Sequence, residues 1–181
     1  TFRAGILGLD LATEGPIVKN KTSYLANFRY STLGILNAMG IHLVGPRTDN
    51  NFQDFAFKIH HQGKRSRFSF WGIGGNSRET FRAEDMHWMT YSDTKAYQFI
   101  TRMGVIGASW NYLVDNKSFL QVNAGMMAQQ VYFRDDTLSM QEQSFTVNEE
   151  DYITPQGTVH AFYKRTFNAR FNMKLGAMAT V

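Results

Sequence analysis

Hydrophobic and polar side chains alternate along most of this chain. Phe55, Phe57 and Ile59 are separated by single small or polar residues, and the stretch 170–181 alternates in much the same way. Successive side chains of a β-strand point to opposite sides, so a period of two residues predicts strands with one apolar and one polar face. We therefore predict an all-β chain of antiparallel strands.

The alternating runs predict about eight strands that follow one another as a meander of hairpins. Their expected ranges are 2–11, 23–33, 51–61, 67–75, 96–112, 118–134, 158–165 and 170–181. Turn-forming residues predict short connections at 14–21, 62–66, 115–117 and 166–169, and longer polar connections at 34–50, 76–93 and 135–157. In the first long connection, Leu33, Leu36 and Leu43 recur at roughly helical spacing, which predicts a short helix there.

The alternation of short and long connections favours a membrane barrel over a soluble sandwich. Transmembrane barrels have short turns at one end and longer loops at the other. Two of the expected strands, 96–112 and 118–134, are longer than the usual five or six residues, and a tilted strand needs about 9–11 residues to cross a bilayer. Aromatic residues gather beside the short turns, as in an interfacial girdle: Tyr24, Phe68, Trp110, Tyr112, Phe119, Tyr163, Phe167 and Phe171.

Composition limits the classes of function. The length of 181 residues suits one domain, and 43% hydrophobic with 19% charged residues indicates an ordered chain. The absence of cysteine excludes disulfides and thiolate chemistry. The net charge is +4, but the basic residues are scattered except at 64–67, which we interpret as a solvated hairpin tip. We therefore expect no nucleic-acid partner.

Candidate catalytic and metal-binding motifs are weak. The glycine-rich stretch 71–77 lacks the Gly-Lys-Ser/Thr of a phosphate loop. His60 and His61 point to opposite faces if they lie on a strand, so they cannot chelate one ion, and His42, His87 and His160 lack a ligand spacing. We predict no enzyme activity, no cofactor and no metal. Most carboxylates fall in expected loops, where solvation explains them and calcium is the remaining alternative: Asp54, Glu84, Asp85, Asp135, Asp136, Glu149, Glu150 and Asp151.

Three motifs support a family resemblance. They are "GLDLATEGPIVKNKTSYLANFRYSTLGIL", "NNFQDFAFKI" and "RFSFWGIGGNS", within 8–76. Together they resemble the barrel portion of TonB-dependent outer-membrane receptors of the Bacteroidetes type. In that family a Glu-Gly-Pro turn ends one strand, and a Ser-Tyr-Leu-x-Asn-x-Arg-Tyr-Ser strand follows.

The resemblance implies that residues 1–181 form one segment of a larger transmembrane barrel in the bacterial outer membrane. We expect neither a plug nor a signal segment within them. The implied function is uptake of a nutrient ligand, and the implied partners are outer-membrane lipid, the remaining strands and plug of the receptor, and the energy-coupling TonB protein. A surface lipoprotein is a further candidate partner.

The alternation of faces then predicts which side chains line the lumen. If the apolar faces meet lipid, the lumen-facing polar residues are the candidates for contact with a ligand, or for charge pairing within the wall: Asn27, Arg29, Lys58, Arg102, Arg170 and Lys174. Two alternatives remain. One is a complete eight-stranded outer-membrane barrel acting as an anchor or adhesin, and the other is a soluble β-sandwich binding module.

Overall fold

The chain forms one antiparallel sheet of nine strands in sequence order, in a computed structural model that describes residues 1–5, 8–41, 43, 45, 47–83, 94–139 and 143–181. Each of the strands between the first and the last pairs with the strand before it and the strand after it, so the topology is a meander of hairpins. This confirms the predicted all-β, antiparallel fold. The elements are β1 (Phe2–Gly5), β2 (Gly8–Val18), β3 (Thr22–Ser31), α1 (Leu33–Ala38), β4 (Thr48–Gln62), β5 (Ser66–Phe81), β6 (Lys95–Asp115), β7 (Ser118–Leu138), β8 (Ser144–Thr166) and β9 (Asn172–Thr180).

Several predicted boundaries are wrong. The expected strand 2–11 is two strands, because β1 folds back and Phe2 pairs with Leu11. The expected long loop 135–157 is mostly strand, because β7 and β8 stay paired from Ser118 and Arg165 up to Leu138 and Ser144. Charged residues along this hairpin resembled a solvated loop, but cross-strand pairing extends the sheet through them.

The Glu-Gly-Pro stretch is not a turn. β2 continues through Gly15 and Pro16, and the turn to β3 follows at 19–21. The Ala12 N–H donates to the Thr1 carbonyl at the outer edge of β2. Backbone N–H groups an even number of residues apart on a strand point to the same edge, so the nitrogen of Pro16 also faces outward. At Pro16 no described strand pairs with that edge. Proline is tolerated there because it removes no ladder hydrogen bond. The true turn uses Asn20, whose φ of 61° is unusual for a residue other than glycine.

The predicted short helix is confirmed as α1 (Leu33–Ala38). Its first residue, Leu33, is buried, and the Leu33 N–H donates to Ser31 Oγ at 3.2 Å. At its end, Asn37 Nδ2 donates to Asp49 Oδ1 at 2.7 Å. The helix is therefore attached at both ends to the strands that it connects.

The sheet has almost no core. Leu33, with 7% exposure, is the one buried hydrophobic residue among those that the structure describes. The accessible surface is 12955 Å², whereas a compact monomer of this mass, 20.7 kDa, exposes roughly 8,900 Å². The described residues thus leave both faces of the sheet uncovered.

The sheet is also open at its edges. β1 pairs with β2 alone and β9 pairs with β8 alone among the described strands. The described residues therefore form neither a closed eight-stranded barrel nor a two-layered sandwich. Within them, no helix has the length and apolar character needed to cross a membrane.

Candidate functional site: two opposite faces of the sheet

Pairing register assigns every strand residue to one of two faces. Phe57 lies opposite Gly72, which lies opposite Ile106, which lies opposite Met126. Cross-strand partners share a face, and so do residues two apart on one strand. We call the face that carries these four residues the apolar face and the other one the polar face.

The apolar face carries a continuous band without Asp, Glu, Lys or Arg, which we call the uncharged band. Its aliphatic residues are well exposed, with Ile106 at 50% and Met126 at 67%. Its aromatic residues pack together, as where the rings of Phe57 and Phe70 lie 5.4 Å apart. The band consists of every second residue within 24–28 of β3, 55–59 of β4, 68–74 of β5, 104–112 of β6, 120–128 of β7 and 155–163 of β8.

Aromatic side chains border the band at the end with the short turns. Trp110 and Tyr112 stack with their centroids 5.6 Å apart, and Trp110 Nε1 donates to Ser66 Oγ at 2.9 Å. Phe68 on β5 and Tyr163 on β8 lie on the same face. The indole is thus apolar on its body and hydrogen-bonded at its edge, an arrangement suited to an interface between apolar and aqueous surroundings.

Three aromatic residues of the predicted girdle lie elsewhere. Phe119 points to the polar face, because it pairs with Lys164 one residue out of phase with the band. Phe167 and Phe171 lie in the turn between β8 and β9, where their rings pack at 5.2 Å. All of these aromatic residues are close to a turn in the sequence, so that closeness alone could not separate these three from the ones that border the uncharged band.

Charged residues begin abruptly at the other border of the band. Arg102 lies two residues beyond Gly104 on the same face. Arg78 on β5 and Asp151 on β8 share this face and lie two residues further from the band than the residues level with Arg102. Arg102 was expected on the polar face with Arg29. Its position follows the register of Gly104 instead, and the sequence concealed this because Met103 and Val105 give the other face a hydrophobic pattern here as well.

Four of the predicted lumen-facing residues share the polar face: Asn27, Arg29, Lys58 and Lys174. Asn27 Nδ2 donates to Asp10 Oδ1 at 2.6 Å, and Arg29 Nε lies 3.4 Å from Asp54 Oδ2.

The ammonium of Lys174 lies 3.9 Å from the centroid of Phe162. Arg170 lies in the turn before β9, where its N–H donates to Asn168 Oδ1 at 2.9 Å. Charge pairing within the wall therefore occupies Arg29, while Lys58 and Lys174 have no ion pair among the described residues.

A row of hydrogen-bonding side chains crosses the polar face behind the band. Its members lie opposite one another on five successive strands: His60, Ser69, Ser109, Asn123 and His160. His60 Nδ1 and Ser69 Oγ lie 2.8 Å apart. The row is not apparent in the sequence, because its members are spread over a hundred residues and meet only through the register.

The polar face also carries an aromatic cluster near the 82–94 connection. Phe81 and Tyr97 stack at 5.3 Å, and Phe133 packs against Tyr97 at 6.4 Å. Tyr97 Oη donates to Glu79 Oε1 at 2.7 Å. Stacked rings beside carboxylates form a surface that suits contact with a ligand. In the sequence, these side chains recur at every second residue in 79–81 and 97–99, and that spacing was the available signal.

The carboxylates and histidines do not assemble into a metal site among the described residues. Asp135 and Asp136 lie on β7 and Glu149–Asp151 on β8, so neighbouring carboxylates point to alternate faces. His61 bonds to Thr22 on the face opposite to His60. Four residues considered above lie outside the described part of the chain: His42, Glu84, Asp85 and His87.

No family model, curated protein or solved structure matches this chain. The resemblance to TonB-dependent receptors rests on the motifs within 8–76.

Proposed function

We propose that this chain forms part of the wall of an outer-membrane TonB-dependent receptor that takes up a nutrient ligand. The observation that carries the proposal is the uncharged band, which covers one face of a sheet that has almost no core among the described residues. The sequence resemblance within 8–76 supports the choice of this receptor family.

The energetic reason lies in the exposed apolar surface. Each large aliphatic or aromatic side chain left in water forgoes about 1.5–3 kcal/mol relative to burial, and the band exposes many of them. Lipid removes that cost without a second protein layer. It also demands that every backbone N–H and C=O in the apolar region be bonded, which paired strands achieve everywhere except at the sheet edges.

The dimensions of the band fit a bilayer. From Gly104 to Tyr112 the strand rises about 27 Å at roughly 3.4 Å per residue. With the tilt of about 40° that is common in membrane barrels, this spans roughly 21 Å, close to the usual apolar height of about 25 Å. The β7–β8 hairpin continues some ten residues beyond the band, or about 34 Å along the strand.

The polar face would then line an aqueous lumen. Its hydrogen-bonding row suits a wet interior, as do Lys58 and Lys174, which have no ion pair within the described part of the chain. The aromatic cluster lies beyond the band at the end of the sheet with the longer connections. In this arrangement the hairpins capture the ligand outside and the wall encloses its route. The two open edges require further strands, and a plug driven by the TonB protein would control passage.

Circular dichroism of the refolded chain with and without detergent tests the membrane environment. We expect native β-structure in detergent or lipid only. A chain that is folded and monomeric in plain buffer would contradict the proposal.

A second experiment tests the assignment of the faces. The sequence contains no cysteine, so Ile106→Cys and Val105→Cys each provide a single label at nearly the same depth on opposite faces. We expect brominated lipid to quench a bimane label at position 106 strongly and one at position 105 weakly, and a water-soluble maleimide to show the reverse preference. Equal quenching at the two positions would refute the assignment.

A further inference from the structure

A groove runs along the apolar face where small residues lie side by side. Gly74 pairs with Gly104, and Gly104 pairs with Ala128. These residues form the floor of a groove of about 490 Å³, which Ile106 and Met126 help to line. A Cβ added at Gly104 would meet no atom within 4 Å, so the groove is open directly above it. We call this the glycine groove.

Basic side chains lie at one end of the glycine groove. Arg102 is two residues, or about 7 Å, from Gly104 on the same face, and it is exposed. Arg78 lies on the neighbouring strand one step further from the band, diagonal to Arg102, and it is exposed as well. Two basic residues therefore lie on neighbouring strands at the point where the uncharged band ends.

No carboxylate among the described residues forms an ion pair with either arginine. Arg102 Nη1 donates to Gln130 Oε1 at 2.9 Å. The nearby carboxylate of Asp151 instead accepts hydrogen bonds from Gln130 Nε2, at 2.8 and 3.0 Å. Arg78 Nε donates to the side-chain oxygen of Gln98 at 3.0 Å when that amide is in its hydrogen-bonding orientation. Both guanidinium groups thus contact neutral amides and keep an uncompensated positive charge, which attracts an anion.

We propose that the glycine groove and the two arginines bind one anionic membrane lipid. Its acyl chain lies along Gly74, Gly104 and Ala128, and its phosphate accepts hydrogen bonds from Arg102 and Arg78. The inference rests on the proposed membrane location and extends it, because a bare membrane wall requires neither a groove nor, at its border, arginines without an ion pair among the described residues. Charge complementarity at one end and an apolar channel at the other match the two halves of a phospholipid.

Native mass spectrometry of the protein released from detergent micelles tests this. The probes are dipalmitoyl phosphatidic acid, dipalmitoylglycerol without the phosphate, and glycerol 3-phosphate without the chains. We expect the protein to retain phosphatidic acid alone. Arg102→Gln should weaken that binding about tenfold, the usual size of a lost charge-assisted hydrogen bond, and Arg102→Lys should preserve most of it.

The groove has its own pair of variants. Gly104→Leu fills the glycine groove and should also weaken binding about tenfold. Gly157→Leu is the matched control, because it is on the same face, its added Cβ would also meet nothing within 4 Å, and it lines the adjoining groove and not the floor of the glycine groove. We expect it to bind phosphatidic acid like the original chain.

Circular dichroism first confirms that each variant has native β-content in micelles. Equal retention of dipalmitoylglycerol, or unchanged binding by Arg102→Gln, would overturn the role of the arginines. Unchanged binding by Gly104→Leu would overturn the role of the groove. A membrane-inserted chain that fails these tests refutes the lipid site alone, whereas a chain that folds as a soluble monomer refutes the lipid site and the proposed function together.

Discussion

Two neighbouring residues provide the sharpest test of the membrane wall. Ala108 lies at the middle of the uncharged band on β6, and Ser109 lies at almost the same depth on the polar face. Ala108→Arg and Ser109→Arg add the same side chain to the same strand. Only the first places the charge in the band, so any difference between the variants reports the environment of the face.

The size of the effect follows from the position in the band. An arginine on the lipid face at mid-membrane costs about 2–4 kcal/mol of folding free energy. On a wet, uncrowded face, a substitution usually changes it by about 0.5 kcal/mol or less. With a urea dependence of about 2 kcal/mol per molar, Ala108→Arg should lower the unfolding midpoint by about 1–2 M and Ser109→Arg by about 0.25 M or less.

Reversible urea unfolding in phospholipid vesicles, followed by tryptophan fluorescence, measures both midpoints. Ala108→Leu is the control for size, because added apolar volume is tolerated in lipid but costs about 1–3 kcal/mol in a packed sandwich core. Equal losses for the two arginine variants would refute the assignment of the faces. A large loss for Ala108→Leu would indicate that another protein layer covers the band.

Three further predictions concern local contacts, all measured by the same unfolding experiment. Asn20→Ala should destabilise the chain by about 1 kcal/mol, because alanine tolerates positive φ poorly, and Asn20→Gly should not; similar losses would contradict this turn geometry. Gly72→Leu should cost at least about 1–3 kcal/mol, because a Cβ there comes within 2.5 Å of the Phe57 ring, while Gly104→Leu should be nearly neutral; the reverse order would contradict the register. Arg29→Ala should cost less than about 1 kcal/mol, because its ion pair is exposed; a loss above about 2 kcal/mol would indicate that the polar face is dry.

Local chemistry explains the parts of the fold that the sequence predicted well. Period-two alternation identified the strands because the backbone sends successive side chains to opposite sides whatever their partners are. Helical spacing likewise identified α1, and turn formers located the hairpin ends at 63–65 and 116–117. The uncharged band was visible in outline for the same reason, since its residues alternate strand by strand.

The positions of the errors show where local chemistry was insufficient. Proline alone predicts a turn at position 16. Pro16 nevertheless lies in β2, because its nitrogen faces the edge of β2 at which no described strand pairs with it. The charged hairpin from Asp135 to Asp151 reads as a loop, yet pairing between β7 and β8 keeps it extended. Both outcomes depend on which strand lies alongside.

The alternating pattern by itself determined that this chain is an antiparallel sheet with two chemically different faces. Only the tertiary structure decided how those faces are composed. Register placed Arg102 at one end of the glycine groove, joined five distant polar residues into a row, and aligned Gly74, Gly104 and Ala128 as one floor. The physical reason is that alternation is a property of one strand, whereas a site is built across strands by hydrogen-bonded pairing between residues far apart in the chain.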